Sequence, residues 1–195
     1  MQARMIAEPL TLYHCCPLSQ GAAALILSSR IRRGRGRRVK IVASALRAGS
    51  YQPLDTVSPE DWITKETAKE AFREASCSPN DIDVAEVHDA FTIGEILAYE
   101  DLGFCDAGAG GRLVTEGYTA RDGPLPVNPG GGLLARGHPL GATGVAQVAE
   151  LTLQLKGEAG PVQVAKAELA LAHVVGGSIP RIGMGACGVH ILAAA

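Results

Sequence analysis

A histidine set in a run of glycines limits what this chain can build more than any other feature. The run is Gly137-His138-Pro139-Leu140-Gly141-Ala142-Thr143-Gly144. A helix is predicted to follow it to about Lys156, with Val145, Val148, Ala149, Thr152 and Leu155 on one face and Gly157 as its stop. The histidine therefore sits on a tight turn before a helix N-terminus, whose partial positive charge favours a developing oxyanion. Glycine on each side lets another backbone or a ligand approach closely. Imidazole there can donate a hydrogen bond to a thioester oxygen or move a proton near neutral pH. The plainer alternative is a histidine that only satisfies a turn.

The rest of the chain alternates strands with helices, which argues for a layered α/β architecture. Residues 21–28 form a short apolar run consistent with a buried strand, and residues 39–46 look like a second. The Arg- and Gly-rich stretch 30–38 between them reads as a solvated turn, since it lacks the aromatics of a nucleic-acid surface. Ser58-Pro59-Glu60-Asp61 is a good helix start, followed by Ala68, Ala71, Phe72 and Ala75 at helical spacing. Residues 82–88 alternate into a strand, and residues 91–102 read as a helix closed by Gly103. Residues 105–137 look irregular, and loops that long are usually functional or disordered. Two closing strands are expected at 168–175 and 185–192, joined through a glycine turn. No internal repeat is evident.

Composition narrows the function classes. The 195 residues are 47% hydrophobic and carry a net charge of −2, so the chain reads as globular, with no global pull toward nucleic acid or anionic membrane. Twenty-four glycines against eight aromatics suit close helix-on-sheet packing. Five cysteines (Cys15, Cys16, Cys77, Cys105 and Cys187) with no CxxC indicate neither a disulfide framework nor a zinc site, and a reducing cytoplasm is the simpler setting. No apolar run reaches the roughly 18 residues of a membrane span, and no signal-peptide core follows Met1.

Other residues compete for chemistry. Val87-His88-Asp89-Ala90-Phe91 puts a second histidine at a strand end, where open α/β sheets build their sites. His88 and Asp89 capping the next helix is the alternative. Asn128-Pro129-Gly130-Gly131-Gly132 offers an amide in a glycine loop, but no nucleotide cradle and no GxSxG elbow occur. Cys15, Cys16 and Cys187 read as buried small hydrophobes. His14 reads as structural. His173, before Gly176-Gly177, could face a site.

Taken in order, these segments resemble the thiolase superfamily, nearest to sterol-carrier-protein-type thiolases and thiolase-like lipid-transfer relatives. The matching pieces are residues 9–13 and 21–24, Glu86-Val87-His88-Asp89-Ala90-Phe91, Asn128-Pro129-Gly130-Gly131, the Gly137–Gly144 run, and Cys187-Gly188-Val189-His190-Ile191-Leu192. The resemblance implies a layered αβαβα fold with two similar halves. Residues 1–50 would be the end of the N-terminal half and 51–195 the C-terminal thiolase domain. It implies acyl-CoA C-acyltransfer, with coenzyme A thioester as substrate and no bound cofactor. His138 matches the histidine that activates a nucleophilic cysteine and lines the first oxyanion hole. His88 matches a position that supports the second. Asn128, Gly137, Gly141, His173 and Gly176 fall where substrate binding or support is expected.

The resemblance places the nucleophilic cysteine in an upstream half, and none of the five cysteines here matches it. It implies as partners a second copy of the chain, in a homodimer, or an N-terminal thiolase half, and a small CoA-binding protein. Three positions depart from the family pattern. Ala90 stands in place of an acid/base cysteine, His173-Val174-Val175-Gly176 in place of a Cys-x-Gly motif, and Gln20 in place of an aspartate. These departures keep two alternatives open: a thiolase-like retro-aldolase subunit acting on acyl-CoA side chains, or a non-catalytic lipid- or acyl-CoA-binding remnant.

Overall fold

Period-two alternation in the last two strands organises the molecule. In β5 (Leu169–Ile179), Ala170 and Ala172 face one side while Leu171 and His173 face the other. In β6 (Gly183–Ala194), Cys187, Val189 and Ile191 share the Leu171 side. A computed structural model describes residues 3–29, 36–49, 63–179 and 183–195. Its four-stranded sheet has the order β3-β6-β5-β4, with β3 at Val39–Ala48 and β4 at Val84–Glu86. β3 and β5 run antiparallel to β6, and β4 runs parallel to β5. A small antiparallel pair, β1 (Met5–Ala7) and β2 (Leu10–Thr11), stands apart.

Helices cover both faces of the sheet. α1 (Ile63–Ala75) buries Ala68, Ala71 and Phe72 against β3 and β6, and α2 (Thr92–Asp101) adds Ala98 and Tyr99 to the same cluster. Two short helices follow, α3 (Gly110–Thr115) and α4 (Gly132–Arg136). On the opposite face, Leu151 and Leu155 of α5 (Thr143–Lys156) pack on Val84, Ala170, Ala172 and Leu192. Each such leucine stabilises the fold by about 1.5–3 kcal/mol on burial. Gly157 ends α5 in the left-handed conformation.

Several expectations are corrected. Residues 21–28 form no strand: they find no partner ladder among the described residues, and Ile26 is 98% exposed. The helix start at Ser58 and most of the 30–38 turn lie outside the described residues. β4 is shorter than 82–88 because Val87 leaves the ladder. The 105–137 segment is not wholly irregular, since α3 and α4 lie within it. α5 begins at Thr143 rather than directly after Pro139. Its buried face is Thr143, Gln147, Leu151, Gln154 and Leu155, turned from the expected Val145, Val148, Ala149 and Thr152 but sharing Leu155. Two glutamines on that face bond to backbone groups, although the Gln147 side-chain oxygen is buried without a partner. Gln147 donates to the His173 carbonyl (3.0 Å), and Gln154 donates to the Val162 carbonyl (2.8 Å) and accepts from Val164 N–H (2.9 Å). β3, which precedes residue 50, pairs antiparallel with β6.

Candidate active site

The site begins where β4 stops. Asn128 receives the Val87 N–H on its side-chain oxygen (2.9 Å) and donates its own N–H to the Ala85 carbonyl (2.9 Å). Its φ of 49° is a conformation asparagine tolerates better than most residues. This latch fixes the backbone from which His88 and Asp89 project. Asp89 does not cap the helix that follows it: α2 is entered through Phe91, with no side-chain cap bond. The buried Asp89 carboxylate instead accepts the N–H groups of Leu133 (2.8 Å) and Leu134 (3.1 Å) at the start of α4.

α4 delivers the glycine-flanked histidine. Gly137 has φ +84°, and an added Cβ would lie 2.3 Å from Ser19 Oγ, so only glycine allows the 17–19 segment to lie there. His138 N–H donates to the Pro17 carbonyl (3.3 Å). Its ring Nδ1 lies 2.7 Å from Thr143 Oγ1, and that hydroxyl donates to the Pro139 carbonyl (3.2 Å). A hydroxyl has one proton, and the Pro139 oxygen already accepts the Ala142 and Thr143 N–H groups (2.9 and 3.0 Å), so the His138 tautomer follows whether the hydroxyl proton goes to Pro139 or to Nδ1. With Nδ1 protonated and donating to Thr143, the Nε2 lone pair of His138 is free to take a proton.

His88 and His138 meet ring to ring, with centroids 4.8 Å apart and planes at 85°. Burial pushes His88 down to about 4, helped by His138. Burial also lowers His138, opposed by the nearby Asp89 charge. Both rings are therefore neutral near pH 7, as a proton acceptor and an uncharged hydrogen-bonding group must be. Behind them, Arg136 pairs with the fully buried Glu86 (3.2 Å). Burial pushes Glu86 up to about 8, against the pull of Arg136 and with Glu150 adding to the rise.

A pocket of about 140 Å³ opens beside His88. Its mostly apolar lining includes Thr64, Ala90, Phe91, Leu97 and His173. His173 is buried, shares a hydrogen bond with Thr64 (3.2 Å), and is pushed down to about 3 by burial with His88 adding to it. The structure thus brings together His138, His88 and Asn128, and places His173 in the same pocket as His88. Gly141 and Gly176 are exposed, and an added methyl on either would meet nothing within 4 Å. Packing gives no reason for glycine at these two.

Cys15 and Cys16 are half-buried rather than buried, because they flank the site: Cys15 bridges Phe91, and Cys16 N–H donates to the Ala90 carbonyl (2.9 Å). Burial pushes the Cys16 thiol up. Cys187 is buried as expected. His14 accepts the Thr11 N–H (2.9 Å) and so closes its own turn. Among the described residues no group of three or more His, Cys, Asp or Glu side chains could hold a metal ion. No described helix is long and apolar enough to cross a membrane. The residues missed from sequence are Thr143, Glu86 and the true role of Asp89. Thr143 stood five residues after His138 inside the same motif, which was a readable signal. The Glu86–Arg136 and Asp89–α4 contacts span 44 to 50 residues and carry no local signal.

Sheet, helices and paired imidazoles define a layered α/β protein with an uncharged histidine pair at a strand end. Known proteins specify the class further. A family model described as "Thiolase C-terminal domain-like" matches residues 56–184. An acetyl-CoA acetyltransferase of Methanothermobacter thermautotrophicus is 47% identical over 98% of this chain and 49% of its own length. Sterol carrier protein 2 of Rattus norvegicus is 41% identical over 90% of this chain and 34% of its own length. The benzoylsuccinyl-CoA thiolase subunit BbsB of Thauera aromatica is 36% identical over 91% and 47%. A solved Ltp2-ChsH2(DUF35) aldolase superposes with a TM-score of 0.76 over 98% of this chain and 49% of that one, at 22% identity, which shows the fold alone. The chain belongs to the thiolase family, with the thiolase-like fold of the C-terminal half. It spans half or less of the length of these relatives.

Proposed function

We propose that the chain supplies the histidine half of an acyl-CoA C-acyltransferase site, with coenzyme A thioester as substrate and no resident cofactor. One observation carries this: His138, held through Nδ1 at 2.7 Å from Thr143 Oγ1, meets the uncharged His88 ring to ring at 4.8 Å, and with Nδ1 protonated its Nε2 is the base. In this reading a cysteine of an N-terminal thiolase half attacks the thioester carbonyl. His138 takes its proton and returns it to the departing CoA sulfur, so charge balances at each step. His88, neutral at working pH, donates a hydrogen bond to the oxygen that gains charge. The exposed apolar side chains Leu18, Ile26 and Leu140 are the surface that the other half would cover. His138→Ala in the complete enzyme should cut turnover by about 100-fold or more. Unchanged turnover would remove His138 from the chemistry.

A second reading, a retro-aldolase subunit that releases a short acyl-CoA without a covalent intermediate, is favoured by Ala90. That residue lines the pocket beside His88 and offers no thiol. Intact mass after exposure to an acyl-CoA separates the two, since an acyl adduct belongs only to the first.

A further inference from the structure

We infer that Asp89 is a positioning residue that sets the placement of His138. This rests on His138 acting as the base. Asp89 is 1% exposed and makes no bond to its own helix. Its two oxygens each take one N–H of the first turn of α4, from Leu133 and from Leu134. α4 is five residues long and runs directly into Gly137 and His138. A carboxylate adjacent in sequence to His88 therefore holds the segment that carries His138, and the two rings meet at 4.8 Å because of it.

The neighbouring residue confirms how tightly the carboxylate is seated. Gly132 has φ +59°, and an added Cβ would fall 2.1 Å from Asp89 Oδ2. The backbone of α4 thus closes over the carboxylate with no room for a methyl. Glu86 reinforces the arrangement from the other end of α4 by pairing with Arg136. Glu86, His88 and Asp89 lie within four residues, so the end of β4 carries both the ring and the clamp that brings its partner ring.

The charged and titratable groups about His138 are His88 and Asp89 from the segment after β4, and Cys16 from the N-terminal segment. Arg136 and Glu86 lie behind α4, and Glu150 comes from α5. Of these, Asp89 favours the protonated form of His138. Asp89→Asn keeps the shape but removes the charge and turns one acceptor into a donor facing an N–H. The base should then be both misplaced and less basic.

The test is an NMR titration of the His138 ring in the full chain, paired with pH–rate profiles of the complete enzyme. Asp89→Asn should lower the His138 titration midpoint and move the acid limb of kcat/KM to lower pH. It should also reduce kcat on the order of 100-fold, the size expected of a small misplacement, with KM little changed. Gly132→Ala, which displaces the carboxylate without removing it, should reduce kcat likewise, and the double variant should be less damaging than the product of the two. A folded Asp89→Asn chain with an unaltered His138 titration overturns the proposal. If neither variant folds, the unmodified chain decides. The Leu133 and Leu134 amide signals should titrate with Asp89, and the His138 ring should respond at the same pH; independent titrations overturn it. The ring titration needs no turnover, so a normal response in a chain without acyl-CoA activity would defeat the acyltransferase reading and leave this one standing.

Discussion

Thr143 shows how one side chain can decide the chemistry of another. Its hydroxyl lies between the Pro139 carbonyl and His138 Nδ1, and its single proton goes to Pro139 when Nδ1 is protonated and to Nδ1 when it is not. Thr143→Val removes that partner. Turnover in the complete enzyme should fall about 10- to 100-fold, as when the partner orienting a functional histidine is lost, with the chain still folded by circular dichroism. The glycines of the same motif are not equivalent. Gly137→Ala meets Ser19 and a positive φ, so it should cost roughly 1–3 kcal/mol by urea denaturation. Gly141→Ala meets open space and should stay within about 0.5 kcal/mol. His173 carries a pH signature. Its folded pKa is pushed from 6.5 to about 3, so below 6.5 the unfolded chain binds a proton that the folded chain refuses. Stability is therefore lost as pH falls from about 6.5 toward 3. His173→Leu should move the acid-unfolding midpoint, followed by circular dichroism, to lower pH.

At the scale of elements, local periodicity made α1, α2, α5 and the last two strands legible, because each has an apolar face packed on the sheet. It failed in three instructive places. Residues 21–28 have the composition of a strand, but a strand needs a ladder, and none of the described strands pairs with them. In α5 periodicity favours the face of Val145, Val148, Ala149, Thr152 and Leu155, of which only Leu155 is fully buried, whereas Gln147 and Gln154 point inward and bond backbone groups of β5 and the 162–164 segment. Polar side chains that serve a distant backbone cannot be told from solvated ones by periodicity. Gln154→Leu should therefore destabilise the chain despite its gain in hydrophobicity, by about 1–3 kcal/mol for the unsatisfied Val162 and Val164 groups. The clamp between the end of β4 and α4 was invisible for the same reason: Asp89 reads as a cap for the next helix, and the first amide it accepts lies 44 residues on.

The candidate site was legible at the scale of the whole molecule to the extent that short motifs carry geometry. His138 and His88, 50 residues apart, do meet, and Asn128 holds the backbone beside them. Gly176 lies exposed at the far part of β5, and His173 lines the pocket it shares with His88. The chain spans half or less of its relatives, and Leu18, Ile26 and Leu140 are exposed. In the proposed acyltransferase, an N-terminal thiolase half would cover such side chains and supply the attacking cysteine. The most direct measurement is the intact mass of that complete enzyme, sampled over time after mixing with an acyl-CoA. A covalent acyl adduct should form on the N-terminal half with the unmodified chain, and far more slowly with His138→Ala. An adduct that forms equally fast with both, or with neither, would contradict the assignment of His138 as the base of an acyl-transfer site.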